Sequence, residues 1–137
     1  MFGRIVPRAV AAAALLAACS DDALVSPAAV AGSYVLTTVS GQPVPAAGVV
    51  SGVIALDATG AASRRVQYGT PAAPGALAVA TGTFVARDDS LVLNLTALGA
   101  NPPAAVRWAA AREGRALTLR LRDPGDGRDV VEVYRRQ

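Results

Sequence analysis

The sequence predicts an all-β domain, a small antiparallel up-and-down barrel of eight strands. Segments of β-forming composition recur at the spacing of about 8 to 12 residues that is typical of sandwiches and barrels. Clusters of Gly, Pro and Asp separate these segments, and the short connections make successive strands antiparallel neighbours. An open meander of eight strands would expose two edges, so the sequence favours a closed barrel.

The chain begins with the three parts of a secretory signal peptide, predicted for residues 1–18. Arg4 and Arg8 supply positive charge, an apolar run follows at residues 9–16, and two alanines come next. This run is much shorter than the about 20 apolar residues that a membrane-spanning helix needs. The segment is therefore predicted to direct export without spanning the membrane.

The end of this segment, LAAC at residues 16–19, resembles the lipobox of bacterial lipoproteins. The resemblance implies that the leader is cut before Cys19, that the Cys19 sulfur is diacylated and that the new amino group is acylated. Cys19 is the only cysteine in the chain, and an unpaired thiol in an exported protein indicates a partner or a modification. Cys19 is thus the predicted lipidation site. The alternative is an ordinary small residue in a leader that is cut elsewhere.

Lipidation would attach the mature protein to the membrane by its N-terminus, because two or more acyl chains give stable anchoring. Ser20 follows the cysteine at the position where an aspartate favours inner-membrane retention in some two-membrane bacteria. The expected location is the cell envelope, and the outer membrane facing the periplasm if the host has two membranes.

Residues 19–31 are predicted to be the lipidated N-terminus and a tether, and residues 32–137 to be the barrel domain. The stretch SDDALVSPAAVA at residues 20–31 has no clear period and contains Pro27. Fully extended, a tether of this length could reach about 40 Å. The rest of the chain has the length of one small domain.

Eight segments of the domain have β-forming composition. The candidate strands are residues 33–40, 49–56, 62–68, 77–87, 90–97, 104–111, 116–122 and 129–135. In residues 90–97, Leu91, Leu93 and Leu95 share one face, and residues 116–122 repeat the pattern. Because successive side chains in a strand point to opposite faces, such strands have one buried and one wet face.

The strand predicted at residues 104–111 is rich in alanine, which favours helix. Its inclusion depends on the alternation of Val106 and Trp108 with Arg107 and on the flanking Pro-Pro and Glu-Gly pairs.

The two ends of the predicted barrel resemble bacterial lipocalin-like lipoproteins. GSY at residues 32–34 runs into PVP at residues 43–45, and VYR at residues 133–135 ends the last strand. In the wider calycin group, an arginine of the last strand often packs across the aromatic of the first. The resemblance implies that Arg135 pairs with Tyr34 and closes the barrel structurally. The alternatives are a core aromatic at Tyr34 and a solvated charge at Arg135.

The charge of the chain gives no support to nucleic-acid binding. The sequence has 13 basic residues against 10 acidic ones, and removing Arg4 and Arg8 with the leader leaves 11 against 10. The arginines are scattered, whereas a nucleic-acid surface clusters its basic residues on one face. No nucleic-acid partner is expected.

The sequence offers little for catalysis, and no catalytic residue, metal or cofactor is predicted. The chain has no histidine, which removes the commonest general base and imidazole ligand. Lipidation would occupy the thiol of Cys19, and most carboxylates lie in or beside turns, where aspartates bond their own backbone. The aspartates of residues 123–129 could in principle bind calcium, but the segment lacks the spacing and bidentate Glu of an EF-hand loop.

Two functions remain open for this non-enzymatic protein. The favoured expectation is a structural or interaction module of the envelope, with a filled barrel and a protein partner. The alternative is a lipocalin-like carrier of a small apolar ligand, because eight-stranded barrels can hold one small molecule. The expected partners are the membrane through the lipid anchor and either an envelope protein or an apolar ligand.

Overall fold

The computed structural model describes residues 23–99, 103–122 and 127–137. These residues form ten strands and one short helix, α1 (Pro27–Val30). The strands are β1 (Leu24–Val25), β2 (Gly32–Val39), β3 (Gln42–Pro43), β4 (Val49–Leu56), β5 (Ala61–Gly69), β6 (Pro74–Arg87), β7 (Ser90–Ala97), β8 (Ala104–Glu113), β9 (Ala116–Arg122) and β10 (Asp129–Arg136). Among the described residues, no helix is long and apolar enough to cross a membrane.

In the described part of the chain, eight of these strands form a closed antiparallel barrel. Around the barrel the order is β2, β4, β5, β6, β7, β8, β9 and β10, and β10 pairs with β2 to complete the ring. In that last ladder Arg135 lies opposite Val35 and Arg136 opposite Tyr34. The predicted fold class is confirmed, including the alanine-rich strand β8. The observed strand ends differ from the predicted ones by at most three residues.

The barrel has two ends of different character. At the lower end, tight turns join β4 to β5, β6 to β7 and β8 to β9, and the C-terminus of β10 lies beside the N-terminus of β2. At the upper end lie the longer connections, and β3 pairs there with the end of β2. The two ends therefore offer different surfaces.

Residues 24–31, predicted as part of the tether, belong to the folded domain. In β1, Leu24 pairs with Arg87 and Val25 with Ala86, at the lower end of β6. Val30 of α1 is only 1% exposed and packs into the core. The tether prediction is wrong for this segment, because Leu24 and Val25 pair with β6 and Val30 is buried in the core.

The core lies inside the barrel. Alternate residues of each strand point inward, as the leucines of β7 and β9 predicted, and Leu91, Leu93, Leu117 and Leu119 are fully or almost fully buried. These large side chains fill the lower and middle part of the lumen.

Candidate functional site

The upper end of the barrel opens into a cavity of about 570 Å³, here called the cup. Its walls carry the apolar side chains Val39, Val49, Leu121 and Val130. The inward-pointing strand residue Glu132 also lines it and marks its floor. The volume lies within the range of about 300 to 1,000 Å³ that is usual for small-molecule sites.

The rim of the cup is polar. It is formed by exposed residues of β5, β9, β10 and the segment before β10: Tyr68, Arg122, Arg128 and Asp129. The cup therefore combines apolar walls with a charged mouth, an arrangement that suits a guest with an apolar body and a polar end.

At the floor of the cup and below it, four inward side chains form a polar group in the lumen. This lumen cluster consists of Arg64 from β5, Trp108 from β8, and Glu132 and Tyr134 from β10. Nη2 of Arg64 donates to both carboxylate oxygens of Glu132, at 2.7 and 2.8 Å. Arg64 is 5% and Glu132 2% exposed, so the ion pair lies inside the barrel.

Tyr134 and Trp108 make the remaining contacts with this ion pair. The Tyr134 hydroxyl accepts a hydrogen bond from Nε of Arg64 at 3.2 Å and donates one to Glu132 at 2.7 Å. The Arg64 guanidinium carbon lies 4.9 Å from the centroid of the Trp108 ring, within the distance of a cation–π contact. The contacts link strands on opposite sides of the barrel.

The electrostatics of the lumen cluster favour the charged form of Arg64. Burial by itself would lower the pKa of Arg64, but the interactions with Tyr134 and Glu132 outweigh it and raise that pKa above its ordinary value. Burial also raises the pKa of Tyr134, against the opposing effect of Arg64. At neutral pH the arginine is therefore a cation and the tyrosine a neutral hydroxyl.

The buried polar atoms of the lumen cluster have hydrogen-bond partners within the cluster. Among the described residues, no buried side-chain nitrogen or oxygen lacks a hydrogen-bond partner. The same residues contain no group of three or more side chains that could hold a metal ion. Glu132, the member of the cluster that lines the cup, therefore already has its hydrogen-bond partners.

The structure does not bring together the predicted pair Tyr34 and Arg135. Tyr34 is 4% exposed and its hydroxyl donates to the Val30 carbonyl at 2.6 Å. Arg135 is exposed, because Tyr134 before it points into the lumen and successive strand residues point to opposite faces. The predicted pairing is therefore wrong, although the two strands that carry it are neighbours as expected.

Arg136 takes the place at the lower end that was expected for Arg135. It lies opposite Tyr34 in the ladder, and its guanidinium donates to the carbonyls of Ala29 and Ala31. A Cβ atom at Gly32 would come within 2.8 Å of Nε of Arg136. The glycine of the GSY motif thus leaves room for an arginine that holds α1 against the barrel.

The predicted lipidation site and part of residues 123–129, where no calcium site is predicted, lie outside the described residues. The lipidation site Cys19 is outside them, as is the leader. Residues 123–126 are also outside, and Asp129 is an exposed residue at the rim of the cup.

The sequence reading missed the lumen cluster and the cup. Glu132 lies within a strand and not in the turns that hold most of the carboxylates, and nothing local to Arg64 indicates its partner. One signal was present, since adjacent arginines at 64 and 65 in a predicted strand must point to opposite faces. One of them therefore had to enter the barrel, and a buried arginine requires a partner.

Comparison with known proteins yields no match to a family model, to a curated protein or to a solved structure. The class that the fold and site define is a closed eight-stranded up-and-down barrel with a cup at one end, an architecture consistent with the lipocalin-like fold.

Proposed function

We propose that this protein is a lipid-anchored envelope protein whose barrel binds a small apolar ligand in the cup. The observation that carries the proposal is the cup itself, an apolar-walled cavity of about 570 Å³ that opens at one end of an otherwise filled barrel. Apolar walls gain free energy when a guest displaces water from them. The lipid anchor is supported by the LAAC sequence at residues 16–19.

The class of ligand follows from the charges around the cup. The Glu132 carboxylate at the floor is already bonded to Arg64 and Tyr134, so it offers no free charge to a guest. The walls are apolar, and the polar groups lie at the rim. A ligand with an apolar body inside and a polar end at the mouth fits this distribution best.

A titration with dansylated undecanoic acid tests the proposal. We expect saturable fluorescence enhancement with the native protein. Val130→Phe, which fills the cup from β10, should weaken binding about tenfold, equivalent to about 1.4 kcal/mol. Val131→Phe is the matched control, because Val131 points to the outer face of the same strand, and it should leave the affinity unchanged.

The absence of saturable binding, or equal affinities in both variants, would refute the ligand-binding proposal. Either result would favour the second candidate function, a structural or interaction module of the envelope. That candidate is favoured by one observation, the dense filling of the lower lumen by large apolar side chains. A mass-spectrometric search for an apolar metabolite in natively extracted protein complements the titration.

A further inference from the structure

The ladder between β8 and β9 is incomplete. Its pairs run from Glu113–Ala116 to Ala110–Leu119 and end there, although the same register would next place Ala109 opposite Arg120. In the described chain, residues 104–109 of β8 and 120–122 of β9 form no backbone pairs with each other. Both strands remain paired on their other sides up to their upper ends. Within the described residues, the wall is therefore unpaired between residues 107–109 of β8 and 120–122 of β9, and this unpaired stretch is here called the β8/β9 seam.

The burial of inward side chains changes where the pairing stops. Trp108 and Val106 point inward from β8 and are only half-buried, whereas their ladder partners on β7, Leu93 and Leu95, are 0% and 2% exposed. Because each pair lies at one height in the barrel, the open upper end cannot explain the difference. The partial exposure of Trp108 and Val106 therefore coincides with the place where β8 loses its pairing with β9.

The same change occurs across the seam. On β9, Leu119 is 0% exposed where the ladder still holds, and Leu121 is half-buried above it. Leu121 also lines the cup. The seam and the cup therefore share a wall residue, and the apolar surface runs from one into the other.

We propose that the β8/β9 seam is a lateral portal that admits and holds the hydrocarbon chain of the ligand. The inference rests on the proposed function and adds that the ligand is an elongated, chain-like molecule lying along Trp108 and Leu121. The contact of Trp108 with Arg64, which Glu132 in turn holds, fixes the ring in place before a ligand arrives.

A hydrocarbon chain fits the seam better than a peptide strand. A peptide strand inserted between β8 and β9 would need a long unpaired edge on each of them. Within the described part of the chain, β9 offers only residues 120–122. A flexible chain needs no backbone partners and can bend from the seam into the cup, as the continuous apolar lining requires.

A reversible closure of the seam tests the portal. The experiment uses the chain from residue 19, which contains every described residue, carrying Cys19→Ser so that the engineered cysteines are the only thiols. The pair Ala109→Cys and Arg120→Cys would join the two strands where pairing stops. Oxidation should slow association of dansylated undecanoic acid about tenfold, as expected when access is gated, and reduction should restore the rate.

The matched control is the pair Ala111→Cys and Thr118→Cys, which joins the same strands where they are already paired. Oxidation of this control should leave the association rate unchanged. An oxidised Ala109–Arg120 pair with a normal rate would overturn the portal and assign access to the open end of the cup.

Trp108 supplies a second readout that needs no disulfide. It is the only tryptophan of the chain, so the tryptophan fluorescence comes from this residue of β8 alone. We expect undecanoic acid to shield Trp108 from acrylamide quenching and to shift its emission to shorter wavelength. Binding of the probe without shielding would refute the seam as the place of the chain while leaving the cup intact.

The remaining outcomes are also decisive. If no probe binds at all, the proposed ligand-binding function fails, and the portal fails with it. Shielding of Trp108 by an alternating valine–threonine hexapeptide, with none by the acid, would assign the seam to a strand of a protein partner and overturn the proposal.

Discussion

Arg64 and Arg65 are sequence neighbours with opposite surroundings. Arg64 enters the lumen and is 5% exposed, whereas Arg65 lies on the wet outer face of β5. A buried charge is tolerated only with a well-placed counter-charge, because its desolvation costs several kcal/mol. Glu132 supplies that charge through two short contacts to the same guanidinium nitrogen. The pair links β5 to β10 across the barrel interior.

Removing one member of this ion pair should destabilise the barrel strongly. Glu132→Gln leaves the Arg64 cation buried without a counter-charge, and we expect a loss of about 3 to 5 kcal/mol in the free energy of unfolding. In the double variant Arg64→Met with Glu132→Gln, the glutamine oxygen can still accept from Tyr134. This variant should recover part of the loss in urea unfolding.

Arg65→Met is the control for the loss of an arginine from the same strand and should change stability little. The loss of unfolding free energy in the double variant is compared with the sum of the losses in Arg64→Met and Glu132→Gln. If the two are equal, Arg64 and Glu132 are not energetically coupled.

Among the strands, β6 shows how backbone contact shapes the barrel wall. It pairs with β5 on one side and β7 on the other, and Gly82 lies opposite Leu95. A Cβ atom at Gly82 would come within 2.0 Å of the Asn94 carbonyl oxygen and 3.0 Å of the Leu95 Cα. Both are backbone atoms of β7, so they cannot move aside as a flexible side chain could.

Gly82→Ala should therefore force β6 and β7 apart. The expected loss of stability is about 1 to 3 kcal/mol, the usual cost of overpacking, measured by urea or thermal unfolding. Gly75→Ala is the matched control on the same strand, because the nearest atom to a Cβ there, the Tyr68 carbonyl oxygen, lies at 3.5 Å. Equal losses in the two variants would contradict the role of close strand approach at Gly82.

At the scale of the whole molecule, the folded N-terminal segment fixes how an anchored barrel would face the membrane. Leu24 pairs at the lower end of the barrel, five residues after Cys19. Those residues can span at most about 17 Å when extended, far less than the about 40 Å of the tether predicted from the sequence. A lipid at Cys19 would keep the lower end near the membrane and leave the cup opening away from it.

Lipidation itself is tested by metabolic labelling with a palmitate analogue. Cys19→Ala should abolish the label, because it removes the sulfur that accepts the acyl chains and the residue before which the leader is cut. Ser20→Ala is the matched control and should retain the label. A label that persists in Cys19→Ala would exclude this cysteine as the anchor.

The strands of this protein follow from local sequence, and the ladders between consecutive strands follow from the short turns that join them. Alternation of leucines with polar residues identified the inward faces of β7 and β9, and the same turns gave the antiparallel order. Even the alanine-rich β8 was placed correctly, because Val106 and Trp108 alternate with Arg107. These features depend on residues that are close in the chain, so the sequence by itself determines them.

Which inward side chains meet depends on the closed barrel and not on local sequence. Arg64, Trp108 and Glu132 come from three strands that do not neighbour one another around the barrel, and their meeting depends on strand tilt and stagger, which no local pattern specifies. The same holds for the β8/β9 seam, where the ladder stops although both strands continue. Arg136 takes the place expected for Arg135 because the face of each residue is set by Tyr134 pointing into the lumen. Closure of the ring converts local alternation into contacts between distant residues, and those contacts form the cup and its floor.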